Sequence, residues 1–380
     1  MDPVVGPPCR FDDAANEGDF KRVPVAVQVA ALAQMIRDSV ARIEFEAAGY
    51  THGRECRVCG KVVAGARGWV GAHYSRAAAP SRQRRLLVVA AILSLCWIAM
   101  SRILLKTEDH SRDSAGMRYV YPVISRRAGG VSVGINLNPN NACNWRCIYC
   151  QVPGLTRGGP PPIDLALLER ELNDFLAWAV AGDFMATRVP AGARRLVDLA
   201  FSGNGEPTSA AEFADAVSLA GRVLAAHGLA GKLVMRVITN GSLLDRKAVQ
   251  AGIAGIGNAG GEVWFKVDAG TAAGLARING TRVRPELVAR RLAACAALAP
   301  TWVQTCLFRI DGELPAEQDT CAYLALLAPL APVLAGVHLY SLARPSLQKE
   351  APRLGRIEAG WLEQMAERIR QLGLTVRVSP

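Results

Sequence analysis

The chain has 380 residues, a formal net charge of +11 and a pI near 9.4, and 51% of its residues are hydrophobic. That length holds one large domain of about 250 residues plus a smaller segment, and it excludes a chain too short or too polar to bury a core. The positive balance favours polyanionic partners only weakly, because many arginines fall on helical segments whose outer faces meet water.

Residues 1–23 mix Pro, Gly and charge without period, and residues 24–48 read as one amphipathic helix. Cys56 and Cys59, followed by His73 and joined by His52 or Cys9, make a candidate zinc knuckle that lacks the second His of a finger. The run LLVVAAILSLCWIAMS (86–101) is uncharged and, with 103–105, is a candidate membrane segment. A span needs roughly 20 apolar residues, and basic residues flank this run on both sides, so charge sets no orientation. Residues 106–116 are polar and read as disordered. Ten cysteines without a cleavable leader point to a reducing compartment, the cytoplasm, and to metal binding ahead of disulfides.

From Met117 the text becomes regular. Strands are predicted at 131–138, 196–202, 232–240, 262–269, 301–310 and 335–343. Helices are predicted at 163–182, with Asp164 near the start, at 211–228, closed by glycine, and at 243–255. Three more follow, at 284–299, at 321–333 until its prolines, and at 359–373. Strand and helix alternate about six times, with crossovers long enough for parallel connections. The pattern leaves open a doubly wound sheet and a full or partial β/α barrel. In either fold, loops that follow strands share one rim. After the first four strands come the cysteine loop NACNWRCIYCQ (141–151), GNGEP (203–207), NGS (240–242) and KVDAG (266–270).

Cys143, Cys147 and Cys150 are three sulfur ligands on one loop. Zinc usually wants four ligands, and no fourth lies nearby. A 4Fe–4S cubane held by three cysteines keeps one iron open for a substrate or cofactor. Tyr149 can shield such a cluster or pack beside a flat ligand. Gly203, Gly205 and Gly241 allow a ligand to approach the backbone. Glu206 can accept from an ammonium, and Asn204 and Asn240 can donate and accept. Lys266 and Asp268 sit at a strand end and can face substrate. Each motif alone also has a plainer reading: GNGEP as a turn into a helix, TNG as an ordinary turn, Lys266 as one half of an ion pair. Cys295, Cys306 and Cys321 read as core residues.

The spacing of Cys143, Cys147 and Cys150 with Tyr149 before the last, joined to GNGEP and TNG, resembles the signature of the radical S-adenosylmethionine (SAM) enzymes. YPVISRRAGGVSVGINLNP, FSGNGEPT, FKVDAGT and ARPS look like the branch of the wyosine-synthesis enzymes and their bacterial relatives, over residues 117–380. The resemblance implies a partial (β/α)6 TIM-like barrel and a 4Fe–4S cluster on the three cysteines. It implies SAM on the open iron and cleavage to methionine and a 5′-deoxyadenosyl radical. It further implies an electron donor such as flavodoxin or ferredoxin and, with the basic charge, tRNA or another anionic substrate. Met117 lies where members of that branch commonly start, so residues 1–116 are an extension or an upstream stretch assigned to the chain. The N-terminal cysteines do not match the second cluster of wyosine enzymes. Alternatives are an activase that makes a glycyl radical on a partner, and a zinc or iron–sulfur module that does not cleave SAM.

Overall fold

The computed structural model describes residues 104–106, 112, 114–125 and 129–379. The candidate zinc knuckle, the helix at 24–48 and the apolar run up to residue 103 lie outside these residues. Among the described residues, no helix is long and apolar enough to cross a membrane.

Eight strands form one sheet: β1 (Val120–Ser125), β2 (Gly130–Ile135), β3 (Leu196–Phe201), β4 (Val234–Thr239), β5 (Glu262–Lys266), β6 (Thr301–Cys306), β7 (Gly336–Tyr340) and β8 (Val376–Ser379). β1 pairs antiparallel with β2, and from β2 to β8 every pairing is parallel. The order in space is the order in the chain. A doubly wound sheet reverses its order at a switch point, so that alternative falls. With crossovers of constant hand, the helices collect on one face of a curled, open sheet. This is the partial TIM-like barrel, with seven parallel strands rather than six.

The helices on that face are α1 (Leu165–Val180), α2 (Phe184–Arg188), α3 (Phe213–Ala226), α4 (Lys247–Asn258), α5 (Ala272–Asn279), α6 (Pro285–Ala296), α7 (Glu317–Leu327) and α8 (Ala359–Arg370). α1 starts where Asp164 accepts from the Leu167 N–H at 2.9 Å. It buries Leu168, Leu172, Phe175, Leu176 and Ala179, one stripe at helical spacing. α3 gives way to Gly228 at φ +65°, the left-handed stop expected of a glycine. α5 was not foreseen: it is short, opens on Thr271, whose hydroxyl accepts from Gly274 N–H, and ends on left-handed Gly280. The edge strands β1 and β8 were not foreseen either.

Alternation divides the sheet's two faces. Val131, Val133, Ile135, Leu199, Met235, Val237, Val263, Phe265, Val303, Val337 and Leu339 belong to the main apolar core with the helices. The core also takes in Leu105, whose N–H donates to Arg188 O at 2.8 Å. The opposite, concave face is polar. Arg236 stands between Asp198 and Glu262, bonding Glu262 at 2.6 Å, and Ser132 donates to Asp198. Trp264, His338 and Trp302 stack alongside at 4.4 and 4.8 Å between ring centres. Such a buried network needs all its members, because removing one strands a charge away from water.

Candidate functional site

The cysteine loop leaves the C-terminal end of β2 and is fixed by a ladder of asparagines. Asn136 Oδ1 accepts from the N–H groups of Asn138 and Asn204, at 3.0 and 3.1 Å. Asn138 Nδ2 donates to Ala142 O at 3.0 Å. Asn204 Nδ2 donates to Asn141 Oδ1 at 2.7 Å, and Asn240 Nδ2 to Asn144 Oδ1 at 2.9 Å. Asn144 in turn donates to Ser242 Oγ at 2.7 Å. Asn141 sits at φ +56°, a conformation asparagine tolerates better than most residues. GNGEP, TNG and the cysteine loop therefore touch on one rim, as parallel strands require.

The far side of the loop rests on the end of α5. Arg146 N–H donates to Asn279 O at 3.0 Å and Ile148 N–H to Ile278 O at 2.9 Å. Asn279 Nδ2 reaches both Cys147 Sγ, at 3.2 Å, and Asp268 Oδ2, at 2.7 Å. The sequence reading missed this residue. Its only signal was Asn-Gly at the end of an unforeseen helix.

The three thiols lie on this loop, half-buried and free. Burial pushes Cys143 up to about 11 and Cys147 up to about 12, and raises Cys150, so the metal-free thiols stay protonated at neutral pH. Among the described residues, no group of three or more His, Cys, Asp or Glu side chains is gathered closely enough to hold a metal ion. Two of the thiols have local company instead: Trp145 N–H lies 3.5 Å from Cys143 Sγ, and Asn279 holds Cys147. The Cys150 N–H donates to Cys147 O at 3.0 Å, which folds these two residues into one turn.

The three glycines have a reason the sequence did not reveal. A Cβ on Gly203 would lie 2.4 Å from Asn136 Oδ1, one on Gly205 2.2 Å from Ala142 O, and one on Gly241 2.0 Å from Phe265 Cζ. The chain itself fills those spaces. Gly203 and Gly241 also have φ of +151° and +66°. These glycines let the strand-end loops press on the cysteine loop and on the core, and what they present to a ligand is backbone.

Glu206 is buried and its carboxylate is taken up by its own chain. Oε1 accepts from Thr208 N–H, Thr208 Oγ1 and Thr239 Oγ1, at 3.1, 2.7 and 2.6 Å, and Oε2 from Asn240 N–H at 2.6 Å. Burial raises its pKa against the pull of these donors. It clasps GNGEP to TNG.

Asp268 is likewise buried and accepts from Tyr149 OH at 2.5 Å, Asn279 Nδ2 at 2.7 Å and Cys306 N–H at 3.0 Å. Tyr149 packs its ring against Phe308 at 5.4 Å, so the aromatic before the last cysteine locks the loop onto the stretch that follows β6. Lys266 Nζ lies 5.0 Å above the Tyr149 ring and 3.5 Å from Tyr340 OH. Burial works to lower its pKa and is outweighed by Tyr340, Asp268 and the neighbouring cysteines, so it is raised and the ammonium stays charged. All twelve residues singled out from the sequence thus stand on one rim. Cys295 and Cys306 are buried, as expected, whereas Cys321 is exposed.

No family model and no curated protein matches the chain. Among solved structures it resembles Streptococcus suis SuiB bound to S-adenosylmethionine, at 10% identity and a TM-score of 0.42, over 66% of this chain and 47% of that one. It also resembles a radical SAM methyltransferase from Sphaerobacter thermophilus, at 15% identity and 0.45, over 68% of each chain. A third is anSMEcpe with bound AdoMet, at 16% identity and 0.38, over 56% and 52%. The chain spans about half the length of the SuiB chains it matches, 47% and 58%. All these scores lie below 0.5, and the reading of the site rests on its own residues.

Proposed function

We propose that this rim binds SAM and a 4Fe–4S cluster, with Cys143, Cys147 and Cys150 as ligands, and cleaves SAM reductively to begin hydrogen abstraction from a substrate. The observation that carries the reading is the meeting of a three-thiol loop, GNGEP and TNG on one rim, joined by side-chain amides. The donor set fits the cluster in kind: three half-buried sulfurs on one loop, two of them in a single turn. Binding would draw the thiols together and displace their protons. The cluster would supply one electron to the sulfonium C–S bond of SAM, giving methionine and a 5′-deoxyadenosyl radical.

The chain's own residues would do the rest. The backbone of Gly203, Gly205 and Gly241, with the amides of Asn204 and Asn240, would hold the polar parts of SAM. Glu206 would keep those two loops in register, and Tyr149 would seat the last cysteine. Lys266 and Asp268 would face the substrate, which the basic charge allows to be anionic, tRNA included. A flavodoxin or ferredoxin would provide the electron, in a reducing compartment such as the cytoplasm.

The test is anaerobic. The full chain is reconstituted with iron and sulfide and given SAM and dithionite, and 5′-deoxyadenosine is measured. Product that disappears in Cys147→Ala supports the reading. A loaded cluster with bound SAM and no product, even with an electron donor present, turns the site into a binding module. A folded chain that takes up no iron overturns it.

A further inference from the structure

The concave face carries hydrogen-bond donors that the protein does not use. β5, β6 and β7 run parallel and in register, with Lys266 beside Gln304 and Gln304 beside His338. Neighbours in such a ladder point to the same side. Gln304 is 1% exposed, and its Nε2 has no hydrogen-bond partner among the described residues. A buried donor without an acceptor is costly, because water has been given up and nothing replaces it. Lys266 has three donors on Nζ, and its one hydrogen bond among the described residues, to Tyr340 OH, is long at 3.5 Å. The nearest carboxylate does not answer either group. Asp268 already receives Tyr149, Asn279 and the Cys306 N–H.

We propose that Lys266 and Gln304 form a subsite for the carboxylate of a small-molecule substrate on the concave face, beneath the cysteine loop. The match is one of charge and count. One cation and one neutral amide donor suit a monoanion with two acceptor oxygens. A phosphate dianion brings more charge than the lysine offsets and meets Asp268 beside it. The site also lies where the proposed radical chemistry needs a substrate. The Tyr149 ring under Lys266 belongs to the residue just before Cys150, two after Cys147. The assignment rests on the proposed function for calling the carboxylate a substrate's, whereas its binding needs neither SAM nor cluster.

The experiment is a titration of the full chain, labelled with 15N at glutamine side chains and without added SAM, by acetate, acetamide and inorganic phosphate at constant ionic strength. Acetate is expected to move one side-chain amide signal in nuclear magnetic resonance spectra, the signal missing in Gln304→Leu. It should bind about tenfold more tightly than neutral acetamide, the effect of one charged hydrogen bond. Lys266→Met should lose that preference and leave acetamide binding as it was. Equal binding of acetate and acetamide to the unaltered chain overturns the subsite, and so does tighter binding of phosphate, the result a nucleic-acid backbone would predict. A folded variant is needed only to name the signal; the ranking of the three probes is read on the unaltered chain. Acetate selectivity without any 5′-deoxyadenosine would condemn the radical reading alone. The nucleoside formed without acetate selectivity would condemn the subsite alone.

Discussion

Gly205→Ala is the sharpest probe of how the rim is built. The added methyl would lie 2.2 Å from Ala142 O and 2.6 Å from Asn138 Nδ2. Ordinary contact begins near 3.4 Å, so the GNGEP loop or the cysteine loop must move by about 1.2 Å. Overpacking of this kind costs about 1–3 kcal/mol. The same movement breaks the bond from Asn138 Nδ2 to Ala142 O, worth about 1 kcal/mol. A total of about 2–4 kcal/mol lowers the melting temperature of a domain this large by roughly 5–15 °C. Because Ala142 immediately precedes Cys143, iron retained after anaerobic reconstitution should fall as well. Thermal melting followed by circular dichroism and an iron assay read the two effects. Gly159→Ala, between the cysteine loop and α1 with open space around its Cβ position, should change neither. A Gly205→Ala protein that melts within about 2 °C of the parent and keeps its iron refutes the close approach.

Three further outcomes are expected. Arg236→Met leaves Asp198 and Glu262 without their shared cation, and should cost about 3–5 kcal/mol in urea unfolding, with Asp198→Asn in the same background recovering part of it. An unchanged midpoint would show the network to be solvated. Asp268→Asn turns an amide nitrogen toward a group that donates, and should cost about 1–3 kcal/mol by thermal melting; an unshifted transition argues against the three bonds to this carboxylate. Cys295 is buried and its pKa is raised to about 12, against roughly 8.5 in the unfolded chain. The folded thiol keeps its proton while the unfolded one loses it, so this stabilisation is intact below pH 8.5 and drains away as pH rises toward 12. Between pH 8 and 10.5 the parent should lose about 2 kcal/mol more than Cys295→Ala, and equal losses would mean that the thiol meets water.

Much of this could be read before the fold was known, for identifiable reasons. Central strands and amphipathic helices announce themselves by period, and Asp164 and Gly228 marked helix ends as such residues do. α5 escaped because TAAGLARING carries two glycines and little apolar weight. It is held from outside, with Gly274 close against Ala269. β1 escaped because it contains Pro122, which an edge strand accommodates. At the site, cysteine spacing and loop placement were legible because both are local. The work of Glu206 was not, since its partners include Thr239 and Asn240, 33 and 34 positions away. Asn279 meets Cys147 across 132 positions, and Gln304 matters only because the ladder sets it beside Lys266.

The ladder that ties the cysteine loop to the strand ends consists of neutral amides: Asn136, Asn138, Asn141, Asn144, Asn204 and Asn240. None of these groups titrates in the range where proteins stay folded, and none draws counterions. Concentrated salt weakens ion pairs and alkali strips protons from thiols, but neither acts directly on an amide–amide bond. Ionic strength can therefore be chosen for the sulfur ligands alone while the frame that spaces them keeps its shape, whereas pH can be raised only as far as the buried Cys295 thiol allows.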